Sequence, residues 1–227
     1  MSVKHFPQQP RKRLTIGLLG GSFNPAHEGH LYISQQAYQR LQIDQVWWLV
    51  SPQNPLKSSK DMAPLKARLE QSKRIAAKIP FIHVMAPEAE FKSNYSFDTI
   101  KRLQKMYPYI HFIWIMGADN LVQFHRWYRW RAFFRLLPIA VFDRAPYTLK
   151  AFCCKAALRY KVSFKKPKKR LKLGKAPAWT FIRMKPHPAS STAIRKKAAP
   201  QQSVGKKKPI PAKKTSAKKK SSLKKKR

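Results

Sequence analysis

Two histidines close the stretch GGSFNPAHEGH, which occupies residues 20–30 and directly follows the apolar run LTIGLL. His27 and His30 are three positions apart, so at the start of a helix both imidazole rings can point to the same side. A glycine-rich turn also lets a phosphate approach the backbone and the N-terminus of the next helix. The residue types and their spacing therefore predict a site where both rings contact one anion, and a phosphate fits this site best.

Two other roles fit the histidine pair less well. A metal site would need a third ligand, and the neighbouring sequence offers only Glu28, which lies on another face of the helix. A purely structural pair would cap the loop, but it would not account for the glycines and the position of the stretch together. The stretch matches neither GxGxxG nor GxxxxGK[ST], so it is neither a dinucleotide fingerprint nor a Walker loop. We favour phosphate binding.

The elements that must position this stretch are short apolar runs separated by segments long enough for helices. Runs bounded by Pro, Asn, Gly or Asp are typical of strands buried on both faces of a parallel sheet. Segments 64–79 and 96–107 place apolar residues along one helical face. We therefore predict an α/β fold: a doubly wound, mainly parallel Rossmann-like sheet with helices on both faces, whose ligands bind beyond the carboxyl ends of the strands. The runs are LTIGLL (14–19), VWWLV (46–50), FIHVM (81–85), HFIWIM (111–116), IAVF (139–142) and, as a candidate sixth strand, WTFIRM (179–184).

Charge is unevenly distributed along the chain. The formal net charge is +40, and all nine acidic residues lie between Glu28 and Asp143. From Lys196 onward Lys, Ala, Pro and Ser dominate, and such a segment cannot bury enough apolar surface to fold. The expected parts are a basic N-terminal extension (1–13), one folded domain (14–199) with a basic, solvated surface insertion (155–175), and a disordered Lys-rich tail (200–227).

Composition also bears on partners and compartment. Lysine-rich arms contact nucleic acid non-specifically, because they release counterions from the phosphate backbone without reading bases. The only cysteines, Cys153 and Cys154, are adjacent, so no disulfide framework is expected. The first apolar run is too short for a signal sequence or a membrane span. We expect a cytoplasmic protein with no membrane partner, and the oligomeric state stays open.

Several separated motifs together resemble the nucleotidylyltransferase superfamily, and in particular its nicotinate-nucleotide adenylyltransferase branch. GGSFNPAHEGH is similar to the superfamily signature GG(S/T)FxPxHxGH. The other motifs are SPQNPLK (51–57), NYSFDTI (94–100), MGADNL (116–121), FHRWYRW (124–130) and SSTAIR (190–195). The resemblance implies transfer of the adenylyl group of ATP to nicotinate mononucleotide, with pyrophosphate leaving, and Mg²⁺ arriving with ATP.

The resemblance also assigns residues to the ATP side of the site. His27, His30 and Arg195 would act as catalytic residues that contact the phosphates, with Lys57 as a further cation. Asp119 would accept hydrogen bonds from ribose or the adenine side, although a helix cap is its alternative role. The remaining ATP contacts implied by the resemblance are Gly20, Gly21, Ser22 and Phe23 in the first loop, and Ser191 and Thr192 at the start of a late helix.

For the second substrate, the resemblance points to three residues. A tryptophan that stacks on the nicotinate ring matches Trp127, and the backbone N–H that reaches the carboxylate matches Tyr128. Ser96 stands where the family has a threonine, and it keeps both the hydroxyl and the backbone donor. The other tryptophans that we considered, Trp47, Trp48, Trp114 and Trp130, are expected to pack in the interior.

The sequence departs from the family after Arg195, where the terminal helix is expected to be shortened or lost. Two alternative functions stay open. One is an adenylyltransferase with another acceptor, such as nicotinamide mononucleotide or pantetheine phosphate. The other is a basic nucleic-acid-binding protein on a degenerate nucleotidyltransferase scaffold.

Overall fold

A computed structural model describes residue 7 and residues 12–53, 62–168, 170–189 and 191–198. Lys57, the tail 200–227 and most of the extension 1–13 lie outside the described residues. The expectations for these parts of the chain therefore stay predictions.

Six strands form one sheet in which every neighbouring pair is parallel. This finding confirms the predicted doubly wound sheet, including its sixth strand. Each strand has a largely buried, apolar sequence, as expected for a sheet covered on both faces. The strands are β1 (Leu14–Gly21), β2 (Gln45–Val50), β3 (Ile82–Met85), β4 (Ile110–Gly117), β5 (Ile139–Phe142) and β6 (Trp179–Ile182).

Helices connect the strands and flank the sheet. In the described part of the chain, no helix is both long and apolar enough to cross a bilayer. The helices are α1 (Glu28–Arg40), α2 (Leu65–Ala76), α3 (Pro87–Glu90), α4 (Ser96–Met106), α5 (Ala118–Gln123), α6 (Trp130–Leu136), α7 (Thr148–Phe152), α8 (Lys155–Arg159) and α9 (Ser191–Ala198), with short 3₁₀ turns at Phe124–Arg126 and Lys161–Ser163.

The strand order β3-β2-β1-β4-β5-β6 contains a reversal beside β1. The chain first moves outward from β1 to β3 and then returns to add β4 on the other side of β1. Ligands of such sheets bind in the crevice beyond the strand ends at the point of reversal. The loops that follow β1 and β4 both open onto that crevice, and these loops carry GGSFNPAHEGH and MGADNL.

The interior consists of two apolar layers, one on each face of the sheet. Adjacent strand residues point to opposite faces, so Trp47 packs in one layer and Trp48 in the other. Trp47, Trp48 and Trp114 are all fully buried, and Trp130 packs against the core while partly exposed. The expectation that these rings pack in the interior is confirmed, although Trp114 also borders the cleft described below.

Residues 155–175 differ from the solvated surface segment that the charge run predicts. The lysines of this segment that the structure describes are exposed, but Ala156, Ala157, Tyr160, Leu171 and Leu173 are buried. Leu171 forms a bridge to the end of α1, and the segment also bridges to the start of β6. The prediction weighed the cations and overlooked the apolar residues that alternate with them, so this segment is anchored rather than fully solvated.

Candidate active site

His27 is the N-cap residue of α1, and it forms a reciprocal cap with His30. The backbone N–H of Gly29 donates to His27 Nδ1 at 3.0 Å, and the backbone N–H of His27 donates to His30 Nδ1 at 3.2 Å. The two ring centroids are 4.0 Å apart. The predicted convergence of the two rings on one side of the helix start is therefore confirmed, and the rings also satisfy two backbone donors.

These contacts determine which ring nitrogen carries the proton. A nitrogen that accepts a hydrogen bond has no proton of its own, so in a neutral ring the N–H must be at the other nitrogen. In both His27 and His30 the acceptor is Nδ1, which leaves the proton on Nε2. In each neutral ring the hydrogen-bond donor is therefore Nε2–H.

His27 is a neutral donor rather than a cation. Burial, followed by the positive charges of Arg144 and His187, lowers the pKa of His27 from 6.5 to about 4. Near pH 7 the ring therefore donates an N–H group to an anion without adding a full charge. The sequence predicts that both rings contact a phosphate, and the lowered pKa indicates that His27 would do so as a neutral hydrogen-bond donor.

The position of the His30 ring is set by residues from the loop after β1, from α1 and from β2. Its centroid lies 4.7 Å from that of Phe23, which stacks on Trp48 at 5.0 Å. Trp48 Nε1 donates to Ser34 Oγ, and Ser34 in turn donates to the backbone carbonyl of His30, each at 2.8 Å. Phe23 itself is buried with a φ of 46°, a strained backbone conformation for a residue with a side chain. The loop residue Phe23 therefore braces the histidine pair from within the core.

Two glycines are required by close approach at this site. A Cβ on Gly29 would lie 2.8 Å from His27 Cε1 and 3.1 Å from the carbonyl oxygen of Ala189. A Cβ on Gly20 would lie 2.3 Å from Cη2 of Trp114. The first position lets the segment before α9 approach the histidines, and the second lets the Trp114 ring lie against the first loop.

Helix α9 contacts the loop that precedes the histidines. It begins at Ser191, as the sequence predicts, and Ser191 Oγ donates to the carbonyl oxygen of Pro25 at 3.0 Å. Arg195 Nη1 donates to the carbonyl oxygen of Asn24, and Thr192 is exposed. The structure therefore brings Ser191 and Arg195 to the histidine loop, although these residues are about 165 positions apart in sequence from it.

Asp119 lies in the first turn of α5, after the N-cap residue Gly117, so it does not occupy the cap position that was its alternative role. Its Oδ2 accepts a hydrogen bond from Arg144 Nη1 at 3.1 Å. Its Oδ1 is buried and has no hydrogen-bond partner among the described residues. An unpaired buried acceptor at the ligand-binding edge is a position where a hydroxyl donor of a ligand would be stabilised.

Arg68 of α2 is fully buried and ties together the loops after β1 and β2. Its guanidinium donates to the backbone carbonyls of Ser22, Ser51, Pro52 and Ala63 at 2.6 to 2.8 Å. Burial lowers the pKa of Arg68. We did not predict this role from the sequence, but a signal was present: Arg68 lies among the apolar residues of the α2 stripe, three positions after Leu65.

A second group of predicted residues lines an open cleft of about 870 Å³ beside the first loop. Ser96, Trp127 and Tyr128 all border it. The Trp127 ring packs nearly perpendicular to Trp114 and Phe133, with centroids 6.1 and 5.8 Å away. The three residues predicted to bind the nicotinate moiety are thus in one place, together with Ser22 of the first loop and with Gly20 and Gly21, which end β1 rather than lying in that loop as predicted.

The aromatic segment that carries Trp127 also contacts the start of α4. Tyr128 stacks on Tyr95 with centroids 4.3 Å apart, and Tyr95 is the N-cap residue of α4. Two polar atoms of cleft residues, Ser22 Oγ and Trp114 Nε1, are buried without a partner among the described residues. Two residues of the cleft lining thus carry buried polar atoms whose hydrogen-bonding capacity is unused among the described residues.

Glu88 is a buried acid in the same cleft that the sequence did not single out. Its Oε2 accepts from Ser51 Oγ at 2.6 Å, and its Oε1 accepts from Ser96 Oγ at 2.8 Å. Burial raises the pKa of Glu88, and the hydrogen bonds from both serines oppose that rise. The resemblance implies that Ser96 contacts the carboxylate of the acceptor, but in this structure its hydroxyl donates to Glu88.

The described residues contain no cluster of three or more His, Cys, Asp or Glu side chains suited to hold a metal ion. The histidine pair in particular is occupied at both Nδ1 atoms by backbone donors.

The family model described as cytidylyltransferase-like matches residues 18–197. A Rhizobium johnstonii protein named "Probable nicotinate-nucleotide adenylyltransferase" is 45% identical over 192 residues, which cover 80% of this chain and 92% of the relative. A Brucella abortus protein of the same name is 44% identical over 185 residues, covering 81% of this chain and 95% of the relative.

Among solved structures, the Plasmodium falciparum nicotinic acid mononucleotide adenylyltransferase complexed with NaAD has the same fold. Its TM-score is 0.61 at 16% identity, and the likeness covers 81% of this chain and 83% of that one. The family model and the relatives, which match most of the chain, show that this protein belongs to the cytidylyltransferase-like family and, within it, to the nicotinate-nucleotide adenylyltransferases.

Proposed function

We propose that this protein transfers the adenylyl group of ATP to nicotinate mononucleotide, giving nicotinate adenine dinucleotide and pyrophosphate in NAD biosynthesis. The observation that carries the proposal is that the histidine pair and helix α9 both contact the same loop, which follows β1. Residues 23–25 support the His30 ring on one side and accept hydrogen bonds from Ser191 and Arg195 of α9 on the other. Two ring N–H donors and a guanidinium would then contact one anion at the point where the strand order reverses.

The reaction needs positioning and charge stabilisation more than covalent help from the protein. A phosphate oxygen of the mononucleotide attacks the α-phosphorus of ATP, and the bond from that phosphorus to the bridging oxygen of the β-phosphate breaks. Pyrophosphate leaves with the electron pair. His27 and His30 would donate from Nε2 to phosphate oxygens, and fixed donors of this kind stabilise charge as it develops.

Arg195 supplies the full positive charge that His27 lacks. A guanidinium has five N–H donors, and the described contact with Asn24 uses one nitrogen, so others can reach the β and γ phosphates. Ser191 and Thr192 would add hydroxyl and backbone donors at the start of α9. Asp119 would accept from a ribose hydroxyl or from the adenine side through its unpaired oxygen, and Lys57 would be a further cation.

The acceptor would bind in the cleft beside the first loop. The Trp127 face would stack on the cationic nicotinate ring, while the backbone N–H groups of Tyr128 and Ser96 would donate to its carboxylate. The P. falciparum relative was solved with NaAD bound, which supports the same product class for this chain. Mg²⁺ would arrive with ATP as part of the substrate, held by phosphates and water rather than by a carboxylate cage.

Acceptor choice tests this proposal directly. Purified protein with ATP and Mg²⁺ should release pyrophosphate with nicotinate mononucleotide, and at least about ten-fold less efficiently with nicotinamide mononucleotide, whose neutral amide leaves backbone donors poorly paired. Pantetheine phosphate is the third acceptor, and a reaction without acceptor is the control. A better rate with the amide or with pantetheine phosphate would show that the assignment of Ser96, Trp127 and Tyr128 is wrong.

The lysine-rich tail concerns a separate property of the protein. We propose that the tail binds nucleic acid non-specifically. We also propose that the enzyme is cytoplasmic. Deleting residues 200–227 should keep turnover and weaken retention of DNA at low salt. Loss of turnover in that truncation would instead assign the tail to the active machinery.

A further inference from the structure

Glu88 joins two elements that border the acceptor cleft. It lies in α3 and is 7% exposed. One carboxylate oxygen contacts Ser51, the first residue after β2, and the other contacts Ser96, the first residue of α4. All three residues line the cleft. A single buried carboxylate thus links the loop after β2 to the N-terminal end of α4.

The Ser96 hydroxyl proton is committed to Glu88. A serine hydroxyl has one proton, and among the described residues the only hydrogen-bond acceptor of Ser96 Oγ is Glu88 Oε1, at 2.8 Å. Ser51 differs, because its hydroxyl also lies 3.1 Å from the carbonyl oxygen of Gln53. If Glu88 carries a proton, that proton fits on Oε2, since Ser51 Oγ can then accept a hydrogen bond from it and donate its own O–H to the carbonyl oxygen of Gln53. Ser96 donates to Oε1 in either protonation state.

The backbone donors at the start of α4 are in a different position. The first N–H groups of a helix have no acceptor within the helix, and the N-cap residue Tyr95 provides no side-chain cap. The N–H of Ser96 is the first of α4 and lies at the positive end of the helix dipole, which favours an anion. Ser96 lines the cleft. An anion there would be bound by this backbone donor, because the lone pairs of the Ser96 hydroxyl repel negative charge.

We propose that Glu88 is a positioning residue for the acceptor: by holding the Ser96 hydroxyl, it fixes the start of α4 so that backbone N–H groups, and not the hydroxyl, bind the acceptor's carboxylate. The identity of the acceptor rests on the function proposed above. Glu88 then contributes to the choice of acid over amide without contacting the acceptor itself.

A double-mutant cycle tests this role through the kinetics of pyrophosphate release. Glu88→Ala and Ser96→Ala should each raise KM for nicotinate mononucleotide about five- to ten-fold and leave KM for ATP and kcat within about two-fold. The double variant should be no worse than Glu88→Ala alone, because the Ser96 hydroxyl acts only through Glu88. Glu88→Gln should restore KM, since its amide oxygen can accept from Ser96 while its NH₂ donates to Ser51. Glu90→Ala is the matched control, as Glu90 is an exposed acid of the same short helix.

Two kinetic outcomes would overturn the proposal. If the effects of Glu88→Ala and Ser96→Ala on KM multiply, the Ser96 hydroxyl contacts the acceptor independently. If KM for ATP rises as much as KM for nicotinate mononucleotide, Glu88 supports the fold in general. Should Glu88→Ala fail to fold, Glu88→Met fills the space without accepting a hydrogen bond and replaces it in the cycle.

A substrate-free measurement separates this proposal from the proposed function. The same cycle on the thermal midpoint of unfolding should be non-additive, because both single variants break the same hydrogen bond from Ser96 to Glu88. If wild-type protein rejects nicotinate mononucleotide, the proposed function fails, and the substrate-free cycle alone decides whether Glu88 and Ser96 are coupled. Additive shifts in the midpoint would overturn the coupling.

Discussion

The backbone N–H of His27 donates to Nδ1 of His30 at 3.2 Å, so the first histidine of the motif positions the ring of the second. The His27 ring in turn caps the same helix by accepting from Gly29. The two rings serve as structural caps through Nδ1, which puts the proton of each neutral ring on Nε2. The cap and the phosphate contact, which compete as explanations at the level of sequence, are compatible in this geometry because they use different nitrogens.

The first prediction concerns the pH dependence of stability. The fold lowers the pKa of His27 to about 4, whereas an unfolded chain titrates near 6.5, so the unfolded state takes up the proton first as pH falls. The stabilising contribution is therefore complete above about pH 6.5 and is lost as pH falls towards 4. His27→Asn removes this titration and keeps a side-chain cap.

Urea unfolding at several pH values measures this effect. Between pH 7 and pH 4.5 the wild type should lose roughly 1–2 kcal/mol more than His27→Asn, a range discounted for the partial exposure of the ring. Parallel losses in the two proteins would contradict a depressed pKa at His27.

The second prediction concerns turnover. His27→Asn should lower kcat about 10²- to 10³-fold, because the shorter amide cannot place a donor where Nε2–H lies. Its unfolding free energy at pH 7 should stay within about 1 kcal/mol of wild type, since asparagine is a good N-cap residue. Pyrophosphate release and urea unfolding of the same preparation separate the two effects, and normal turnover would exclude His27 from the phosphate site.

The third prediction concerns Gly29. Alanine at this position would place Cβ 2.8 Å from the His27 ring and 3.1 Å from the carbonyl oxygen of Ala189. The His27 ring and the segment before α9 would both have to move, which should cost about 1–3 kcal/mol of unfolding free energy and reduce turnover. Gly174→Ala is the matched control, because a Cβ there meets no atom within 4 Å. Equal unfolding free energies of Gly29→Ala and Gly174→Ala would show that the His27 ring and Ala189 do not lie close enough to Gly29 to exclude a side chain.

The sequence was sufficient for the sheet because each strand is a separate apolar run. LTIGLL and HFIWIM are buried on both faces, and such runs indicate a central parallel strand without knowledge of their neighbours. The spacing of His27 and His30 was likewise sufficient to place both rings on one side of α1. Both predictions depend only on local periodicity.

The contacts of Arg68 and Glu88 depend on tertiary geometry, so the sequence did not predict them. Arg68 reaches four carbonyls in the two loops after β1 and β2, and a spacing pattern within α2 cannot indicate such partners. Glu88 precedes Ser96 by eight residues and meets Ser51 from a different strand end. For the same reason, the capping use of Nδ1 by the histidines required the rotamers at the start of α1, which the motif does not specify.

The last prediction concerns Arg68, which holds the loops after β1 and β2 together from beneath the site. Arg68→Lys keeps the charge but replaces a planar group that donates in several directions by one ammonium, which cannot reach all four carbonyls. Carbonyls left unpaired in a buried place cost free energy, so the variant should lose about 2–3 kcal/mol of unfolding free energy. Arg74→Lys, an exposed position on the same helix, should change it by less than about 0.5 kcal/mol. Because Ser22 and Ser51 both border the cleft, loosening their loops should also raise KM for the acceptor in Arg68→Lys. Equal stability of the two lysine variants would show that the four contacts of Arg68 do not hold the loops together.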